Sequence, residues 1–249
     1  SRNTVAIWIT KQIGVDRVIE TARSLGIQTP LRSFATTSLG ASEVTLLELA
    51  NSYRALASGI LTQPYVIRKI VRDSNETVFV GRSETSPVHF DDEALSFVQE
   101  GMRGVVRLPG GTAHALDSRG FPIAVMGKTG TTNEFRDALF VGSTYGPEGI
   151  TVAVRIGFDD NRSLGSKETG GRVALPVFKE VMSRVYGEKV LGRAPPFPAE
   201  MERRIDRFLQ NDGAVAPSMS SFPPLHRNPP GRSNECRPKR SLESATSAL

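Results

Sequence analysis

Apolar residues recur along the first half of the chain mostly at helical spacing. Val5, Trp8, Ile9 and Ile13 share one helical face, and Gly14 closes the run. Val15, Val18, Ile19, Ala22 and Leu25 repeat the spacing up to Gly26. Both stripes predict core-facing helices, with Trp8 as a packing residue. A loop is expected over residues 27–42, punctuated by Pro30 and Gly40. Thr45-Leu46-Leu47-Glu48 has the spacing of a capping box and opens a helix whose apolar face is Leu49, Tyr53, Leu56 and Ala57. Residues 65–71 and 77–80 are β-rich and flank Asp73-Ser74-Asn75, which predicts a hairpin. Asp91 or Asp92 is expected to cap a further helix, with Leu95, Val98 and Met102 turned inward.

The pattern then changes to that of strands. After Val105-Val106 and the glycine-rich link Gly110-Gly111-Thr112-Ala113, an apolar run at 121–126 leads directly into Lys128-Thr129-Gly130. A polar turn separates it from a second apolar run at 138–141, so the pair reads as a buried strand, a turn and a partner strand. Residues 150–156 supply another strand. Val177, Phe178, Val181, Met182 and Val185 predict the inward stripe of a helix. Beyond Gly192 the periodicity fails. Nine of the sixteen prolines stand at or after Pro195, leaving room for one short helix at 201–209. From residue 213 onward the apolar content is too low to offset chain entropy, and disorder is expected.

Composition narrows the reading. The 249 residues suffice for one large domain or two small ones, and a hydrophobic share of 39% allows a sizeable core. No apolar run approaches a membrane span, and no signal sequence opens the chain. Its first residue is Ser1 rather than methionine, which reads as a fragment or a processed product. The net charge of +5 does not imply nucleic acid. Between Phe222 and Arg240, Arg227, Arg232, Arg237, Lys239 and Arg240 stand against Glu235 alone, so nearly all the excess sits in that stretch of the tail, without interleaved aromatics for base stacking. The single cysteine, Cys236, excludes an internal disulfide and a cysteine-rich metal site, and His89, His114 and His226 match no ligand spacing. Asp159-Asp160-Asn161 lacks further carboxylates at calcium-loop spacing and reads as a turn. No cofactor or metal is expected.

The candidate chemistry lies at the lysine. Gly127 and Gly130 leave no side chain beside Lys128, so another backbone can approach it closely. The ammonium offers a compact charge with three donors, and Thr129 and Thr131 add hydroxyls. This set suits a carboxylate held beside a strand edge. Lys-Thr-Gly is a short motif. The longer run Gly127-Lys128-Thr129-Gly130-Thr131-Thr132-Asn133, followed by Arg136-Asp137-Ala138 and Phe140-Val141-Gly142, resembles the transpeptidase domain of class A penicillin-binding proteins. Ser1-Arg2-Asn3 is similar to that family's Ser-x-Asn motif, although a plain helix N-cap would use the same residue types. Residues 38–45 with Glu48-Leu49-Ala50, and Lys167-Glu168-Thr169-Gly170-Gly171 with Ala174 and Pro176, extend the resemblance. The glycine pair there would let a loop pass near the cleft.

The resemblance implies an α/β fold of the α+β kind, an antiparallel sheet flanked by helices as in penicillin-binding transpeptidases and β-lactamases, truncated at its N-terminus. Residues 1–192 would be part of the transpeptidase domain, and 193–249 a basic, Pro/Ser-rich and largely disordered tail. It implies a bifunctional peptidoglycan synthase whose D,D-transpeptidase half cross-links stem peptides ending in D-Ala-D-Ala and binds β-lactams. Membrane attachment would come only through an N-terminal anchor outside this sequence, at the outer face of the bacterial cytoplasmic membrane. Catalytic roles fall to Ser1, as a proton relay, to Asn3, which orients the substrate amide, and to Lys128. Thr129, Gly130, Thr131 and Thr132 would line the substrate strand. The family's nucleophile is the serine of Ser-x-x-Lys, and no serine here has a lysine three positions on. That motif and a glycosyltransferase domain are expected upstream of Ser1, and this chain alone is expected to be inactive. A β-lactamase or D,D-carboxypeptidase, or a non-catalytic peptidoglycan-binding module, stands as the alternative.

Overall fold

The computed structural model describes residues 2–118 and 120–210; the tail expected to be disordered from residue 213 lies outside these. The chain opens with two helices, α1 (Asn3–Ile13) and α2 (Val15–Ser24), joined at Gly14, whose φ of 91° is open to glycine at no steric cost. The α2 stripe is inward as expected, with Ile19 and Leu25 buried. The α1 stripe is not. Val5, Trp8, Ile9 and Ile13 are 48, 47, 43 and 40% exposed, because among the described residues α1 packs chiefly against α2 and the 3-10 turn Ala35–Leu39 that forms inside the expected loop.

Helix α3 (Leu46–Ser58) begins with the anticipated capping box: Glu48 N donates to Thr45 Oγ1, and Thr45 N donates back to Glu48 Oε2. Glu48 does more than cap. Its Oε1 accepts from the amides of Gln28 and Thr29, both at 2.8 Å, and its Oε2 accepts from the Thr29 hydroxyl at 2.7 Å. One carboxylate thereby pins the loop after α2 to the start of α3. The expected hairpin forms as β2 (Lys69–Val71) and β3 (Thr77–Val80), with Asn75 left-handed in its turn. It is flanked by an unforeseen pairing of β1 (Ile60–Thr62) with β4 (Thr85–Pro87). These strands are only three residues long, too short to show a period.

Helix α4 (Asp92–Arg107) is capped by Asp91, whose Oδ1 accepts from the amides of Glu93 and Ala94. Its inward face is polar as well as apolar. Met102 and Val106 are buried, but so are Gln99 and Arg103, while Val98, expected inside, is 46% exposed. The central sheet follows: β5 (Met126–Thr131), β6 (Asp137–Ser143) and β7 (Thr151–Gly157), antiparallel in the order β5-β6-β7. The apolar residues before Met126 are not strand. Ile123 and Val125 are instead buried in a loop that delivers the chain to β5.

A π-helical turn (Gly170–Ala174) leads into α5 (Leu175–Gly187), whose buried face is Leu175, Phe178 and Met182, with Val177 turned outward. Phe178 meets Phe140 of β6 edge-on, with ring centroids 4.8 Å apart. Gly142 lies beneath both rings, where a Cβ would stand 2.6 Å from Phe178 Cζ. The helix expected at 201–209 forms as α6 (Ala199–Gln210) and packs on α4. Met201, Ile205 and Phe197 are buried with Met126 and Met102, so the compact unit, Ser1–Asn211, continues past residue 192. Two apolar clusters thus clamp the sheet, one under α5 and one under α3, α4 and α6. The antiparallel sheet flanked by helices is the expected α+β class. Among the described residues no helix is long and apolar enough to cross a membrane.

Candidate active site

Lys128, Thr129, Gly130 and Thr131 are the last four residues of β5, an edge strand whose outer side has no strand partner among the described residues. An edge strand leaves backbone donors and acceptors unpaired, and those groups can take an extended peptide. Alternation sends Thr129 and Thr131 to one face and Lys128 to the other. The partly buried Lys128 ammonium donates to Thr129 O at 2.9 Å and pairs with no carboxylate among the described residues. Burial without a counter-charge holds its pKa below the ordinary lysine value of 10.5.

Two loops close on the threonine face. The first is the glycine-rich link, whose Thr112 hydroxyl lies 2.6 Å from that of Thr129. This link is tied to α4, because Ala113 N donates to Val105 O and His114 Nδ1 lies 3.1 Å from Val106 O. The second is the glycine pair. Gly170 N donates to Thr131 Oγ1 at 3.1 Å, which leaves the Thr131 proton free to be donated elsewhere. Gly170 passes so close that a Cβ there would overlap the carbonyls of Leu139 and Gly130, and a Cβ on Gly171 would come within 2.5 Å of Thr112 O. Only glycine permits that approach. Asp159-Asp160-Asn161 forms a turn, with Asn161 N donating to Phe158 O, and no acidic or histidine cluster able to hold a metal exists among the described residues.

The remaining candidate residues are placed differently. Thr132 serves the hairpin, since its Oγ1 accepts from Asp137 N at 2.7 Å and its amide donates to Asp137 O. The turn beyond it holds Glu134 and Phe135 at φ values of 60° and 56°, fastened by Ser163 Oγ on Glu134 O and by Leu164 N on Phe135 O. Asn3 is the first residue of α1, exposed, and its side chain makes no hydrogen bond among the described residues. Ser1 lies outside the described residues. The structure therefore assembles Lys128, Thr129, Gly130 and Thr131 with Thr112 and Gly170, and gives Asn3 no side-chain hydrogen bond to them among the described residues. Sequence reading gave Thr112 no role. Its hydroxyl follows two glycines, but only the fold sets it opposite Thr129.

A lysine and two threonines thus stand on an edge strand pressed by a glycine loop, and residues 1–183 match the penicillin binding protein transpeptidase domain. The chain belongs to that family. Its relatives include proteins named penicillin-binding protein 1A. That of Aquifex aeolicus (strain VF5) is 34% identical over 191 residues, covering 75% of this chain and 25% of the relative. That of Neisseria lactamica is 34% identical over 190 residues, covering 73% and 23%. The chain thus spans about a quarter of the length of these curated relatives. Among solved structures, penicillin-binding protein 1A from Haemophilus influenzae shares the fold with a TM-score of 0.69 at 22% identity, covering 80% of this chain and 34% of that one. Penicillin-binding protein A from M. tuberculosis, solved as an imipenem acyl-enzyme complex, gives 0.58 at 20% identity, covering 73% and 45%.

Proposed function

We propose that this chain is the substrate-strand part of a serine D,D-transpeptidase within a bifunctional, class A peptidoglycan synthase. The observation that carries the reading is the Thr131 hydroxyl, which accepts from Gly170 N and so presents its proton beside the Lys128 strand. The terminal carboxylate of a stem peptide would lie against that proton and the Thr129 hydroxyl, with the Lys128 charge acting on it from the opposite side of the strand and its backbone along the free edge of β5. A β-lactam carries a comparable carboxylate and amide and would enter the same way.

The 249 residues hold no Ser-x-x-Lys, so this reading puts the nucleophilic serine outside them. Its Oγ attacks the carbonyl carbon between the two D-alanines and passes its proton to the motif lysine. The departing D-alanine nitrogen takes a proton, for which Ser1 is the proposed relay. The acyl group then passes to an amine of a neighbouring stem peptide, which loses a proton as the new amide forms. Lys128 supports these steps by charge, and Asn3 would orient the substrate amide once the preceding segment joins α1 to the cleft. The proposed location is the outer face of the cytoplasmic membrane, reached through an anchor elsewhere in the protein.

Labelling with a fluorescent penicillin tests the reading. The full-length protein should be labelled at the Ser-x-x-Lys serine, Lys128→Ala should slow labelling on the order of a hundredfold or more, and the 249-residue chain alone should take no covalent label. A full-length protein that binds peptidoglycan but never acylates would instead indicate a non-catalytic module.

A further inference from the structure

Helix α6 lies beyond the residues that match the family, yet its charged face is wired to the start of the substrate strand. Arg103 of α4 is the junction. Its side chain is 8% exposed, and its guanidinium is held on three sides. Nε donates to Glu202 Oε1 of α6 at 2.8 Å, Nη1 donates to Val125 O at 2.8 Å, and the Phe197 ring lies 4.9 Å away. The other oxygen of Glu202 pairs with Arg107, which also contacts Asp206 Oδ1 at 2.8 Å and Asp117 Oδ1 at 3.5 Å. Glu202 therefore spends one oxygen on each arginine. A planar guanidinium gripped at Nε has its remaining donors aimed by that grip, and here Nη1 is aimed at the last carbonyl before β5.

The consequence is geometric. Val125 directly precedes Met126, the first residue of β5, and Lys128 follows three positions after Val125. At about 3.3 Å per residue of extended chain, the tethered carbonyl and the lysine Cα lie about 10 Å apart along one rigid segment. Movement at Val125 is passed to Lys128 and Thr129. A second contact joins the same two helices without reaching the strand: Arg204 Nε donates to Glu100 Oε2 at 2.6 Å, and its Nη2 lies 3.3 Å from Ser96 Oγ.

We propose that Arg103 is a positioning residue for the substrate strand, held in register by Glu202, and that α6 is the strap that sets the depth of Lys128. Losing this grip would leave the Val125 carbonyl without its donor and let the entrance of β5 drift, while the sheet remained paired to β6. The inference rests on the proposed transpeptidase reading only for its kinetic consequence, and it has a structural consequence of its own.

The test compares Arg103→Lys and Glu202→Gln with Arg204→Gln in the full-length protein. A lysine at 103 keeps the charge but loses the planar fork that fixes Glu202 and Val125 O in one geometry. Penicillin acylation is resolved into initial binding and the acylation step, and backbone amide exchange is followed across residues 126–131. Arg103→Lys and Glu202→Gln should slow the acylation step on the order of ten- to hundredfold and speed exchange at the first residues of β5. Arg204→Gln, which loosens α6 on α4 alone, should lower the unfolding midpoint without either effect. Wild-type acylation and exchange in Arg103→Lys would overturn the proposal. So would equal losses in Arg204→Gln, since α6 would then act only as bulk support. If the unaltered protein is never acylated, the transpeptidase reading fails, and the exchange measurement still decides the role of Arg103.

Discussion

The hydroxyls of Thr112 and Thr129 lie 2.6 Å apart, and only one of them can donate to the other. If Thr129 donates, it has no proton left for an anion. If Thr112 donates, Thr129 Oγ1 is satisfied as an acceptor and its proton faces outward. A bound carboxylate would select the second arrangement, in which Thr129 is backed by a donor as Thr131 is by Gly170 N. With a carboxylate bound, the two threonines of the strand would thus each be backed by a donor from a different loop.

Removing the first donor should weaken the site without dismantling it. Thr112→Val keeps the shape and loses the hydroxyl, worth about 0.5–1.5 kcal/mol for a neutral hydrogen bond. In the full-length protein initial penicillin binding should weaken roughly two- to tenfold, and Thr112→Ser should restore it. Equal binding by the valine and wild-type proteins would show that Thr129 needs no backing.

Lys128 should set an alkaline limit. Its pKa lies below 10.5 because burial disfavours the ammonium, so the charge is lost at a pH where an exposed lysine keeps it. The rate of penicillin acylation should fall on a limb below pH 10.5, and Lys128→Arg should carry activity to higher pH. The sign for stability is opposite: with a depressed folded pKa, the cost of the buried charge is fully present at neutral pH and is relieved as pH rises through that pKa towards 10.5. A rate profile flat to pH 10.5 would place the charge outside the reaction.

Gly170 answers to space rather than charge. A Cβ there would overlap the carbonyls of Leu139 and Gly130, so Gly170→Ala must push the loop off β5. Overpacking of this kind costs about 1–3 kcal/mol or more. Its thermal midpoint should drop by several degrees, and the Thr131 hydroxyl should lose the Gly170 amide as a donor. Alanine at 170 with an unchanged midpoint would mean that the loop does not rest on the strand.

Glu48 governs the acid side. Its pKa is lowered from 4.5 to about 2, first by the Thr29 hydroxyl and then by backbone amides at Thr45, Thr29 and Gln28. The stabilisation is present above pH 4.5 and is lost as pH falls towards 2. Unfolding midpoints of the wild type and Glu48→Gln should differ most above pH 4.5 and converge near pH 2. A constant difference across that range would show that ionisation of Glu48 is not what fastens the loop.

The sequence alone determined whatever depends on neighbours along the chain. The capping box at Thr45 and Glu48, the turn at Asn75 and the strand-turn-strand around Lys128 are local arrangements, because each satisfies its hydrogen bonds or its period within a few residues. The fold class followed from them and from the extended Lys-Thr-Gly motif. Tertiary structure decided the rest, since the deciding partners are distant. Gln99 and Arg103 are buried although both are polar, and a hydrophobic period cannot mark a residue whose burial rests on the Leu56 carbonyl, on Glu202 and on the Val125 carbonyl. Val98 and Val177 fit their helical stripes and still face outward. Thr112 meets Thr129 across seventeen positions, and Gly170 meets Thr131 across thirty-nine. No local pattern carries such pairings, because each exists only once the sheet has closed and two loops have been laid against its threonine face.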